Sequence, residues 1–203
     1  MKIICVGRNY VKHIEELKNV VLEEPAIFLK PDSALIKGEQ VFEMPSFSSN
    51  IHHELELVLK IDKKGKNILL EDALNYYSEI ALGLDFTARD IQDKLKDKKL
   101  SWELSKAFDN AAAIGKFVSL KQLSNPEQIQ FHLIKNEDLV QKGKSTEMIF
   151  NFDFIISFIS RFFTLETGDL ICTGTPAGVG PIASGDILRG YLDNNLNLEL
   201  KVK

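Results

Sequence analysis

Residues 52–61 alternate. Positions 53, 55, 57, 59 and 61 are His, Leu, Leu, Leu and Ile, while positions 52, 54, 56, 58 and 60 are His, Glu, Glu, Val and Lys. Successive side chains on a strand point to opposite faces, so this run folds as a strand with one aliphatic and one mostly polar face. A second alternating run, residues 79–86, sets Ile80, Leu82, Leu84 and Phe86 on one side and Ala81, Gly83 and Asp85 on the other. Shorter apolar runs at 3–6, 26–29 and 129–134 read as further strands, and residues 62–65 as a turn of hairpin type. Helical character is confined to residues 10–17, 71–78, 88–99 and 152–163. Residues 38–50 are a glycine and polar loop. After Gly168 the texture is strand and turn, with six of the twelve glycines between Gly168 and Gly190. There is no repeat, linker or composition break in 203 residues. The pattern predicts one α+β domain over residues 1–203, rich in strands.

Composition narrows the partners. The formal charge of −4 at pH 7 argues against a nucleic-acid backbone as ligand, which demands a basic stripe. The N-terminal apolar run, residues 3–6, is too short for a signal-peptide core of about 7–15 residues. The most apolar later stretch, residues 152–163, contains Asp153 and Arg161 and is far short of the roughly 20 residues of a membrane span. No membrane partner and a cytoplasmic location are the expectations. Cys5 and Cys172 lie in no metal-ligating spacing and read as buried strand thiols.

Four constellations could carry chemistry. Glu54 and Glu56, at i and i+2 of one strand, project from the same face about 6–7 Å apart. With Asp85, on an otherwise apolar strand, they make three hard oxygen donors for a divalent cation such as Mg²⁺ or Mn²⁺. The plain alternative for Glu54 and Glu56 is a solvated strand face. Arg89 and Gln92 form an i, i+3 pair on the helix that follows Asp85, able to orient an oxygen-rich ligand or simply to face solvent. His13 and Glu16 have the same spacing, by which a carboxylate can orient an imidazole as a general base; a surface pair is the alternative. Residues 173–181, Thr-Gly-Thr-Pro-Ala-Gly-Val-Gly-Pro, lack the pattern of a dinucleotide or P-loop, but their glycines allow close backbone approach to an anion.

Taken together these segments resemble the fumarylacetoacetate hydrolase family, and most closely its small acylpyruvase and oxaloacetate decarboxylase branch. The resemblance rests on Gly7-Arg8-Asn9-Tyr10 with His13 and Glu16, Phe28-Leu29-Lys30-Pro31, His53-Glu54-Leu55-Glu56-Leu57, and the run Asp85-Phe-Thr-Ala-Arg89-Asp90-Ile-Gln92. It continues through Trp102, Lys106-Ala-Phe108-Asp109 and Thr173-Gly-Thr-Pro-Ala-Gly-Val-Gly180. It implies a mixed β-sandwich roll with peripheral short helices, usually dimeric. It also implies Glu54, Glu56 and Asp85 as ligands of Mg²⁺, with Mn²⁺ or Ca²⁺ able to substitute. By the same resemblance Lys106 is an active-site lysine, and Arg8, Arg89, Gln92 and Thr175 line the substrate pocket. His13 and Glu16 become a water-activating pair on a lid over residues 8–20. Two departures stand out: residues 110–116 lack the family's common Pro-x-Gly-Pro turn, and Ala107 stands where Ser is common.

The implied activity is metal-dependent cleavage of the C3–C4 bond of a 2,4-dioxo acid through a metal-stabilised pyruvate enolate. That covers hydrolysis of an acylpyruvate such as fumarylpyruvate and decarboxylation of oxaloacetate. An isomerase or tautomerase of a 2-hydroxy-dienoate or of oxaloacetate could use the same residues. A non-catalytic metal- or ligand-binding protein on this fold is the third reading.

Overall fold

In a computed structural model of the chain, residues 1–17, 20–38 and 41–203 are described. Residues 18 and 19 of the expected lid, and residues 39 and 40 of the 38–50 loop, lie outside them. Three sheets organise the described residues. The largest runs in the order Ala26–Lys30, Ile3–Gly7, Leu170–Cys172, Leu55–Ile61, Tyr77–Asp85 and Ala112–Ile114, with Val118–Ser119 also on Tyr77–Asp85. The second has the order Asp138–Lys144, Gln130–Lys135, Ile187–Leu192, Asn195–Val202 and Val41–Phe42. A small third sheet joins Gly180–Pro181, Ile51–His53 and Thr87–Ala88. Among the described residues four α-helices accompany them: α1 (Val11–Glu16), α2 (Arg89–Asp97), α3 (Glu103–Lys106) and α4 (Phe152–Phe162). Among the described residues no helix is long and apolar enough to cross a membrane.

The alternation at 52–61 shapes the core. Leu55, Leu57, Leu59 and Ile61 are fully buried and share one cluster with Ile80, Leu82 and Leu84 from the neighbouring strand. Phe131, Leu133, Leu188, Leu198 and Leu200 of the second sheet complete the same cluster, so the two large sheets enclose one apolar layer. Each such side chain contributes about 1.5–3 kcal/mol on full burial. The opposite face of the first sheet carries a smaller cluster of Ile3, Cys5, Phe28, Val58, Leu170 and Cys172. Both cysteines are free and buried, and they are Cα partners across two parallel strands.

Three local expectations differ from the structure. The 52–61 run is two strands rather than one, because the chain leaves the ladder at Glu54. Ile51–His53 pairs with the small sheet and Leu55–Ile61 with the large one. Residues 62–65 do not close a hairpin: the chain makes a 3-10 excursion, Leu70–Tyr76, before Tyr77–Asp85 returns antiparallel to Leu55–Ile61. The excursion packs against α4, and Gly65 bridges to Leu165, so tertiary contact overrides the turn-forming residues. Val41–Phe42, inside the expected loop, adds to Asn195–Val202 as a short parallel strand.

Candidate active site

The break at Glu54 builds the site. The backbone N–H of Leu55 leaves the ladder to donate to Gln141 Oε1 at 2.9 Å, and Asp85 N donates to the Glu54 carbonyl at 2.9 Å. Glu54 and Asp85 are thereby locked side by side, and Glu56 follows two residues on. Ligand atoms of Glu54, Glu56 and Asp85 all lie within 4.8 Å of one another, and all three residues are buried.

Three cations balance the carboxylates. Lys106 Nζ, at the end of α3, donates to Glu54 Oε2 and to Asp85 Oδ2, both at 2.7 Å. Arg89, first residue of α2, donates from Nη2 to Glu54 Oε1 at 2.5 Å and from Nη1 to Gln92 Oε1 at 2.5 Å. Its i, i+3 partnership with Gln92 is the one the spacing predicts. Lys30 is the third cation, and its side chain is completely buried. Its ammonium is 2.7 Å from Asp85 Oδ1, donates to the Ala111 carbonyl at 3.0 Å, and also donates to the carbonyl of Lys106. Although burial opposes it, Lys106 and Arg89 hold the Glu54 carboxyl well below the usual range. Against the same burial, Asp85 and Glu54 hold the Lys106 ammonium above its ordinary value. Glu56, whose carboxylate accepts the Gly174 N–H at 2.9 Å, is instead pushed up by burial, with Cys172 and Asp85 acting the same way.

A hard divalent cation fits this donor set. Three buried carboxylates converge, and Asp85 Oδ1 receives no hydrogen bond despite its ionic contact with Lys30. Such all-oxygen sites suit Mg²⁺, Mn²⁺ or Ca²⁺.

The glycine-rich segment forms another wall. Thr173 donates to the Leu57 carbonyl at 3.0 Å, and Thr175 Oγ1 donates to the Leu55 carbonyl at 2.8 Å while accepting from Gln141 Nε2 at 2.8 Å. Thr175 therefore lines the cavity with a hydroxyl already engaged twice. Gly174 has φ +99, and a Cβ there would stand 2.7 Å from Asn9 Cβ. Gly178 has φ +98, and a Cβ would come within 2.1 Å of the Val140 carbonyl oxygen. Only glycine suits both places.

Asn9 fastens the base of α1, accepting from Phe150 N at 2.8 Å and donating to the Phe150 and Thr173 carbonyls at 3.0 and 2.8 Å. Arg8 beside it has φ +60, uncommon outside glycine, and its guanidinium lies 5.6 Å over the Trp102 ring. On α1, His13 is buried and its Nδ1 is 3.4 Å from Glu16 Oε2. Glu16 also accepts the Gly178 N–H, at 3.1 and 3.2 Å, which ties α1 to the glycine loop. Burial lowers the His13 pKa, as does Lys106, against the opposing pull of Glu54 and Glu16. The result is a small cavity of about 40 Å³, partly open to solvent. Arg8, His13, Glu54, Glu56, Asp85, Arg89, Gln92, Lys106 and Thr175 all line it, and Glu16 stands behind His13.

Residues 2–202 match the family described as fumarylacetoacetate (FAA) hydrolase C-terminal. The chain belongs to the fumarylacetoacetate hydrolase family. Mouse (Mus musculus) mitochondrial oxaloacetate tautomerase FAHD1 is 42% identical over 201 residues, covering 99% of this chain and 91% of that one. The mitochondrial oxaloacetate decarboxylase of Dictyostelium discoideum is 42% identical over 189 residues, covering 93% and 87%. The crystal structure of Pseudomonas aeruginosa fumarylpyruvate hydrolase with Mn²⁺ and pyruvate superposes with a TM-score of 0.93 at 35% identity, covering 100% of this chain and 89% of that one. The fumarylacetoacetate hydrolase fold is thus the architecture described above, and a divalent metal is at home in a close structural relative.

Two further residues hold the site together and carry no obvious sequence signal. Lys30 stands out in the sequence only within the Phe28-Leu29-Lys30-Pro31 segment of the family resemblance, with no role attached to it. Gln141 lies on Asp138–Lys144, where its amide meets Leu55, His53, Thr175 and Pro176, leaving no hydrogen-bonding position idle.

Proposed function

We propose that the protein is a divalent-metal-dependent enzyme acting on a small 2-oxo acid of the oxaloacetate class. It breaks the C3–C4 bond, by loss of CO₂ or by hydrolysis of a C4 ketone, or moves the C3 proton in keto–enol tautomerisation. The observation that carries this is the buried Glu54, Glu56 and Asp85 cluster, in which Lys106 and Arg89 pair with Glu54 and Lys106 and Lys30 with Asp85, at the wall of one cavity. Held by those three carboxylates, Mg²⁺ supplies Lewis acidity to the oxygens of a 2-oxo acid. Lys106 places a fixed ammonium where negative charge grows as the enolate forms, and it needs no reorganisation to do so. Arg89 and Gln92 orient the acid's oxygens. His13 holds or releases the proton, and Glu16 sets its orientation. Residues 8–20 serve as the lid, with Glu16 on Gly178 as its latch.

Assays of oxaloacetate, acetylpyruvate, fumarylpyruvate and hydroxymuconate-type dienoates, with Mg²⁺ and with EDTA, test the proposal. Turnover of oxaloacetate that EDTA abolishes and Mg²⁺ or Mn²⁺ restores is the expected result. Turnover indifferent to EDTA overturns it.

The same reading includes a homodimer. Phe154, Phe158 and Phe162 form a row along α4, with Phe162 59% exposed. Beside it is an apolar groove of about 420 Å³ walled by Pro25, Ile27 and Leu29. An exposed patch of this kind marks a contact surface. Light scattering is expected to give twice the 22.9 kDa of the chain, and a monomer at micromolar concentration would exclude the dimer.

A further inference from the structure

Around the cavity Lys30, Lys106 and Arg89 are each paired with Glu54 or Asp85, but the cations at its rim are not paired. Among the described residues, Arg8 and Lys96 line the cavity and neither forms an ion pair with a carboxylate. Lys96 lies on α2, one turn beyond Gln92 and two beyond Arg89, so the three side chains share one helix face. It is half-buried. Burial pushes its ammonium below the ordinary value, and Arg89 and Arg8 act the same way, with Asp93 and Glu54 opposing. Holding an unpaired ammonium there, close to two guanidiniums, is unfavourable until an anion arrives between them. Arg8, at a left-handed φ of 60, has its guanidinium over Trp102 at the cavity wall.

We propose that Lys96, together with Arg8, clamps the distal carboxylate of a dicarboxylic 2-oxo acid and so selects four-carbon dicarboxylates over monocarboxylic acylpyruvates. The inference rests on the 2-oxo acid reading above and deepens it. The proximal carboxylate and keto oxygen engage the Glu54, Glu56 and Asp85 end of the cavity. The far carboxylate then meets the two cations left free at the rim, which an acyl methyl group cannot satisfy.

Calorimetry on the Mg²⁺-loaded protein with (S)-malate and (S)-lactate tests the clamp, because these unreactive acids differ by the far carboxylate alone. Wild type is expected to bind malate more tightly than lactate. Lys96→Met is expected to weaken malate by about tenfold or more and lactate by less than about twofold, and Lys96→Arg to keep most of the malate affinity. In kinetics the same Lys96→Met variant is expected to raise KM for oxaloacetate with little change in kcat, lowering the oxaloacetate-to-acetylpyruvate ratio of kcat/KM by about tenfold. Equal losses on both acids, or wild-type malate binding no tighter than lactate, overturn the clamp. Wild-type protein that turns over neither keto acid overturns the proposed function instead, and the malate–lactate comparison still decides the clamp.

Discussion

Glu56→Gln is expected to remove divalent-metal binding while leaving the fold intact, and Asp85→Asn to damage both. The difference follows from what each carboxylate touches. The contact made by Glu56 is with the Gly174 N–H, which a glutamine Oε1 accepts equally well. Asp85 is held by Lys106 and Lys30, each buried. Neutralising it leaves two ammonium groups under-compensated, a loss of about 3 kcal/mol or more for a buried pair broken on one side. Titration with Mn²⁺ should show at least about a 100-fold weaker site in either variant, since even outer partners of a metal site reach that figure. Oxaloacetate turnover should drop by about 10³-fold, the equivalent of several kcal/mol of lost charge stabilisation. Urea melts without metal should separate the two: Glu56→Gln close to wild type, Asp85→Asn clearly lower. Full Mn²⁺ affinity in both variants would remove these carboxylates from the metal site.

That Glu54 and Glu56 share a face was legible from strand periodicity, and Asp85 joined them through its otherwise apolar strand and the family resemblance. The detail was not. Their convergence depends on the chain leaving one ladder at Glu54 and joining another, and on Gln141 catching the freed Leu55 N–H from a strand more than 80 residues away. No local pattern records such a contact. The role of Lys30, a member of the 28–31 segment of the resemblance, stayed hidden for a related reason: only Asp85 and the carbonyls of Lys106 and Ala111, all distant in sequence, explain its burial. The error at residues 62–65 has the opposite cause. Asp-Lys-Lys-Gly has real turn chemistry, but Gly65 spends it on a bridge to Leu165, and the antiparallel partner strand begins only at Tyr77. Helices α2 and α4 were readable within two residues of their ends because their helical composition is a local property. The glycines of residues 173–180 were visible as turn-formers, whereas their reason was not: Gly174 must pass Asn9, and Gly178 must pass Val140.

His13→Ala is expected to cut acylpyruvate hydrolysis by about 10²-fold or more, the range of a lost general base, while oxaloacetate decarboxylation suffers much less. Hydrolysis needs a water deprotonated as it attacks C4, whereas decarboxylation only releases CO₂ and takes up a proton at C3. The pH dependence has a definite sign. Burial keeps the His13 pKa below the ordinary imidazole value of about 6.5, so the ring is neutral and able to accept a proton at pH 7. Hydrolysis should therefore fall on the acid side, with a midpoint below that ordinary value, as the ring gains its proton. Glu16 pulls the pKa upward, and a glutamine there can still accept the Gly178 N–H that latches α1. Glu16→Gln should consequently move the acid limb to still lower pH while the lid stays latched. Stopped-flow measurement of both reactions between pH 4 and 8, on wild type and the two variants, reads all of this. Equal losses in hydrolysis and decarboxylation would make His13 a residue that positions substrate or lid, and no loss in either would leave it a packing residue of α1.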